Sequence, residues 1–178
     1  MISKKGIAIL LALIILLILT LVFVGGMNSI SNIVEFDGIE ETPVVFKADS
    51  ESVSEITVKT PKEKFTFFKD SEGIWKCMEN EEIKISDSKL KTLEGALLYM
   101  NAYQLIKKNP DNLTDYGLDS AEYVITAKTD NKSVTFCRGK ETPIGNYYYF
   151  KMSDSDDVYA QYAATCRILF APLSEYED

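Results

Sequence analysis

A chain of 178 residues, 46% of them hydrophobic, has room for one membrane segment and one globular domain. Nineteen basic residues against 27 acidic ones give a net charge of −8, which argues against a nucleic-acid partner and against tight docking on anionic lipid. Histidine is absent, which excludes Ser-His-Asp and Cys-His catalysis and His-containing zinc sites; only Arg138 and Arg167 could form a bidentate clamp.

The run Gly6–Val24 (GIAILLALIILLILTLVFV) carries no charge and no polar stripe. At about 1.5 Å per helical residue it is roughly 28 Å long, close to the hydrocarbon thickness of a bilayer, and reads as a transmembrane helix. Lys4 and Lys5 precede it, while Glu35, Asp37, Glu40 and Glu41 follow before the next basic residue, Lys47. The positive-inside rule then places the amino terminus in the cytoplasm and the remainder in an extracytoplasmic position at the cell membrane. A cleaved signal peptide is the competing reading, since Val24-Gly25-Gly26 offers small residues to a peptidase. The run exceeds the roughly 7–15 apolar residues of a signal core, which favours a retained anchor. Residues 1–27 are thus read as cytoplasmic tip and anchor, 28–52 as a polar linker in which Val44–Phe46 fits a short strand, and 53–178 as the outer domain.

Strand patterns dominate from Ser54 onward. Ile56 and Val58 alternate with Thr57 and Lys59, Phe65 and Phe67 with Lys64 and Thr66, and TPKEK between them suits a hairpin turn. Short strands are predicted at Ile74–Met78 and Glu82–Ile85. A helix follows, with Ser86, Asp87 and Ser88 offering N-cap oxygens as acceptors and Leu90, Leu93, Leu97 and Met100 on one apolar stripe, ending near Asn101 or Tyr103. The order then recurs: ITVKTPKEKFTFFK at 56–69 is echoed by ITAKTDNKSVTFCR at 125–138, an offset of 69. Strands are expected at Tyr123–Thr129, Ser133–Arg138, Asn146–Met152 and Val158–Tyr162. The apolar segment Thr165–Phe170 takes the place of the helix. The offset aligns Ile56 with Ile125, Val58 with Ala127, Phe65 with Val134 and Phe67 with Phe136, and beyond the second hairpin it grows to about 72. A one-residue slip would turn the apolar set to water, so shared phase means a shared fold unit. The predicted architecture is α+β, a duplicated antiparallel hairpin-and-strand unit plus helix, with repeats at about 54–103 and 121–170.

DYGLDSAEYVIT (115–126), GKETPIGNYYYFK (139–151) and Trp75 within GIWKCM resemble the bacterial family known as domain of unknown function 4340, over about Phe46 to Ala163. The resemblance implies membrane anchoring and, for some members, an accessory place beside gliding-type ABC transporters. It implies no reaction and no catalytic residues. Many members are longer, so the resemblance marks this chain as a short form or a truncated one.

Candidate sites are few, and no cofactor or metal is expected. Ser86/Lys89 and Ser88/Lys91 match S-x-x-K but lack the partner motifs of a Ser–Lys site, and capping explains them. Asp154-Ser155-Asp156-Asp157 lacks the Gly and Glu of a calcium loop and reads as a hairpin turn. Gly139 and Gly145 flank a strand-to-strand loop and do not open a helix, so they form no phosphate loop. Cys77, Cys137 and Cys166 lie in apolar contexts and read as buried free thiols. Tyr147, Tyr148, Tyr149 and Phe150 place aromatics on both faces of one strand; with Arg138 the tyrosines form the candidate interaction surface. Tyr116, Gly117, Leu118 and Asp119 read as architecture, with Gly117 at positive φ and Leu118 plugging the core. The leading functional expectation is a non-enzymatic, partner-binding accessory of an ABC-type membrane complex. A cell-surface domain for a small ligand or glycan is the alternative, favoured by a pocket of Tyr148, Arg138 and acidic side chains. A carboxylate-based enzyme is a third reading, which needs two carboxylates facing across a cleft.

Overall fold

In the computed structural model, residues 42–48, 53–129 and 132–178 are described. The folded unit runs from Thr42 to Asp178, and the predicted membrane segment at residues 6–24 lies outside the described residues. No helix among the described residues is long and apolar enough to cross a membrane.

The alternating apolar runs of the sequence become ten strands: β1 (Val44–Lys47), β2 (Val53–Lys59), β3 (Lys64–Lys69), β4 (Trp75–Cys77), β5 (Tyr99–Asn101), β6 (Gln104–Lys107), β7 (Tyr123–Thr129), β8 (Ser133–Glu141), β9 (Tyr147–Met152) and β10 (Val158–Tyr162). Two helices join them, α1 (Asp87–Leu98) and α2 (Ala163–Leu169). Eight strands make one antiparallel sheet in the order β4-β3-β2-β7-β8-β9-β10-β6, and β1 pairs with β5 apart from it. Among the described residues the fold is mostly sheet with two helices, an α+β arrangement. Ile56, Val58, Phe65, Phe67, Ile125 and Phe136 are fully or almost fully buried and pack with Leu90, Leu93 and Leu97 of α1 and Leu169 of α2. That is the apolar set whose phase the two copies share.

The repeat is visible as geometry. Thr57 and Thr66 face each other across β2–β3 with their hydroxyls 3.2 Å apart; Thr126 and Thr135, 69 residues on, do the same across β7–β8 at 2.9 Å. Thr60 N–H donates to the Glu63 carbonyl at 2.9 Å and Thr129 N–H to the Lys132 carbonyl at 2.8 Å. The copies meet where β2 pairs with β7, in the register Ile56↔Ala127, Thr57↔Thr126 and Val58↔Ile125. Thr57↔Thr126 is its own image under the offset and the two flanking pairs exchange, so a pseudo-two-fold axis passes between Thr57 and Thr126. The strand that begins each copy covers the other's open edge, which otherwise would expose unpaired N–H and C=O groups.

Several expectations are corrected. Glu82–Ile85 forms no strand; only Ile85 makes a bridge, to Glu177. Helix α1 stops at Leu98 and does not reach Asn101 or Tyr103, because Tyr99–Asn101 leaves to pair with β1. Thr165–Leu169 lies within a second true helix, Ala163–Leu169, and Phe170 is its C-cap. Beyond the hairpins the copies correspond at an offset of 75, not about 72: Phe67↔Cys77 and Lys69↔Trp75 in the first match Phe136↔Met152 and Arg138↔Phe150 in the second. The longer β8–β9 connection accounts for the difference.

Candidate functional site

Arg138 lies near the end of β8, opposite Tyr123 on β7 and Phe150 on β9, so its side chain emerges on the helix-bearing face of the sheet. Two residues later the register of β8 against β9 shifts between Arg138 and Glu141, a bulge that re-aims the strand end. Gly139 makes this possible. A Cβ there would collide with the Tyr116 carbonyl oxygen and stand 3.1 Å from both the Gly117 carbonyl oxygen and Leu118 Cγ. The Tyr-Gly-Leu-Asp turn therefore rests directly on the bulge. Gly117 has φ +67°, closing a 3-10 turn over Thr114–Tyr116 through its N–H bond to the Thr114 carbonyl, and Leu118 is buried beneath. Asp119 is exposed. The motif residues act as a footing for the strand that carries Arg138.

The guanidinium carbon of Arg138 sits 3.3 Å from the centre of the Tyr123 ring, 4.4 Å from that of Tyr148 and 5.7 Å from that of Phe170. Such contacts favour a cation by about 0.5–2 kcal/mol each. They satisfy its charge but not its donors. Arg138 Nε is buried with no hydrogen-bond partner among the described residues, and no carboxylate there lies within ion-pair distance of either arginine. Arg167 of α2 opens onto the same cleft, which measures about 500 Å³ and is lined by Tyr123, Arg138, Glu141, Tyr148, Arg167 and Phe170. Glu175 and Cys166 also border it. Burial pushes the Cys166 thiol up to about 12, against the opposing pull of Arg138, so it is a neutral wall at physiological pH. A larger groove of about 610 Å³ between α1 and α2 is bordered by Lys89, Thr92 and Ile168, but Lys89 Nζ is already bonded to the Glu177 carbonyl at 3.1 Å.

The predicted surface is thus divided by the pleat. Arg138 and Tyr148 share the cleft, while Tyr147 and Tyr149 point to the opposite face. There the Tyr147 ring stacks on Tyr103 at 4.4 Å and 28°, Tyr162 joins both at 5.6 and 5.8 Å, and Tyr149 meets Tyr116 edge-on at 5.0 Å. Trp75 is in neither group; it is buried in the first copy under Lys69. Sequence reading named Arg167 only as a possible clamp and did not place it at the site, and it missed Tyr123 and Phe170. The signal for Tyr123 was present, because the Thr126↔Thr135 register of the hairpin puts Tyr123 opposite Arg138. The acidic run is a turn in which Asp156 holds buried Lys151 at 2.6 Å and Asp157 accepts the Asn109 N–H at 3.0 Å. Among the described residues no three metal-ligating side chains cluster.

A family model described as a domain of unknown function (DUF4340) matches residues 75–171, from Trp75 through the cleft to Ala171. No curated protein and no solved structure matches the chain.

Proposed function

We propose that this chain, which belongs to the domain of unknown function 4340 family, is a non-enzymatic binding domain held outside the cytoplasm by its amino-terminal apolar segment, where it serves as an accessory to an ABC-type membrane complex. The observation that carries the binding role is the cleft at Arg138: a guanidinium over three rings, its Nε without a partner among the described residues, beside the only other arginine of the sequence. A buried donor left unpaired costs about 1–3 kcal/mol, a cost that calls for a strained, functional or ligand-linked explanation. The anchor and its orientation are supported by the uncharged run 6–24 and its flanking charges. The transporter association rests on the family resemblance alone.

The test is crosslinked purification of the full chain from membranes. Recovery of transport subunits with the wild type, and their loss with Arg138→Ala, is the expected result; recovery of the chain alone overturns the accessory role. A second reading, a surface domain for a glycan or small ligand, is favoured by the same cleft, which brings Tyr148 and Arg138 together with Glu141 and Glu175, and by the Tyr103–Tyr147–Tyr162 cluster, where Tyr103 is 42% exposed and a stacked aromatic surface suits a sugar ring. Binding of soluble glycans that is lost in Arg138→Ala or Tyr103→Ala, with no transport subunit recovered from membranes, would select it.

A further inference from the structure

The duplicated fold contains its own comparison for the cleft. Lys69 precedes Arg138 by the repeat offset of 69 and occupies the same place at the end of its strand, opposite Trp75 as Arg138 is opposite Phe150. Its ammonium also lies over a ring, 4.7 Å from the centre of Trp75. Yet Lys69 is neutralised within the chain: Glu94 of α1 places Oε1 3.2 Å from Nζ, and the same oxygen accepts the Val53 N–H at 3.2 Å. In the second copy the helix that follows is α2, Ala-Ala-Thr-Cys-Arg-Ile-Leu, which contains no acid and adds a second arginine. The cation is kept and again lies over rings, here Tyr123 and Tyr148, but among the described residues no carboxylate pairs with it.

Resting on the reading of this cleft as the binding surface, we infer that it receives an acidic side chain of a polypeptide partner, whose carboxylate takes at Arg138 the part that Glu94 takes at Lys69. The chemistry of the lining agrees. A guanidinium presents a fork that matches a carboxylate, and Arg167 adds a second positive charge on the cleft wall. Glu141 and Glu175 at the border disfavour a dianionic phosphate, while Phe170, Ala171 and Pro172 offer apolar surface to the residues flanking a single acid. The cleft is an open one on the protein surface, which suits a chain laid across it better than a small molecule that must be enclosed.

The experiment is calorimetric titration of the full chain in neutral detergent with an acetylated, amidated heptapeptide, Ser-Ala-Leu-Glu-Leu-Ala-Ser. Its glutamine counterpart, sodium acetate and inorganic phosphate are titrated in parallel. The glutamate peptide is expected to bind at least tenfold more tightly than the glutamine peptide and far more tightly than acetate. Arg138→Met should abolish that preference and Arg138→Lys should retain part of it. Because Arg138→Met removes a packed side chain, Ala163→Glu provides an independent arm: it puts a carboxylate on the cleft wall, at the start of α2 where a negative charge is favoured. It should raise the melting temperature and block the peptide. Equal binding of both peptides, or of neither, overturns the inference, as does acetate or phosphate matching the glutamate peptide. If the peptides fail while membrane purification still depends on Arg138, the binding role stands and the carboxylate assignment falls; if the peptide binds and no transport subunit is recovered, the accessory role falls instead.

Discussion

Replacing Gly139 with alanine tests how the Tyr-Gly-Leu-Asp turn and the β8 bulge hold one another. The added methyl meets backbone, the Tyr116 and Gly117 carbonyl oxygens, and the packed Leu118 Cγ at 3.1 Å, with no flexible side-chain end that could swing aside. Either the turn lifts off the strand or β8 shifts, and overpacking of this kind costs typically 1–3 kcal/mol, with backbone neighbours at the upper end. For a folded unit of this size, about 3 kcal/mol corresponds to a fall in melting temperature of roughly 12 °C. Thermal unfolding of the full chain in detergent, followed by circular dichroism, measures it. Gly73→Ala is the control: Gly73 has φ +79° but nothing within 4 Å of its would-be Cβ, so only the left-handed backbone cost of about 1 kcal/mol applies. If Gly139→Ala unfolds within a few degrees of wild type, the two motifs are not in mutual support and the footing assigned to Arg138 is wrong.

Gly95 lies in the exposed interior of α1 with open space around it, so Gly95→Ala should stabilise by about 0.5–1 kcal/mol, read as a higher melting temperature. Glu94→Ala strands both Lys69 and the Val53 N–H and should cost about 2–3 kcal/mol, whereas Glu94→Gln, which keeps an acceptor, should cost about half as much in urea unfolding. Cys166 has its folded pKa raised from 9.0 to about 12 by burial, so its contribution to stability is fully present below about pH 9 and is lost as pH rises toward 12. Urea midpoints should be flat to about pH 8 and then decline, less steeply in Cys166→Ala. In the native chain iodoacetamide at pH 8 should leave Cys166 unlabelled by mass spectrometry, and rapid labelling would contradict its burial.

The hairpins were legible because their signals are local: alternation, a turn with Pro or Asn, and threonines that recur in phase at 57, 66, 126 and 135. Elements depending on distant partners were not. Helix α1 keeps its apolar period through Met100, and nothing nearby announces that Val44–Lys47 will draw Tyr99–Asn101 into a strand. Gln104–Lys107 escaped notice for the same reason, since its pairing with β10 alone makes it a strand. Half of the site could be read. The isolated Arg138 and the aromatic strand stood out by composition, but α2 was too short to show a period, so Arg167 and Phe170 went unassigned. The pleat decided the rest, placing Tyr148 on one side and its neighbours on the other.

The joint between Thr57 and Thr126 resembles the interface of a symmetric dimer, yet the two halves are one polypeptide. In a true dimer of identical halves, every substitution appears twice, and a charge left open on one side must be open on both. Tandem linkage releases that constraint. One half keeps its cation bolted to Glu94, and the other leaves its counterpart unbolted on β8 of the same sheet. Asymmetry of this kind is available only to a chain that contains its own partner.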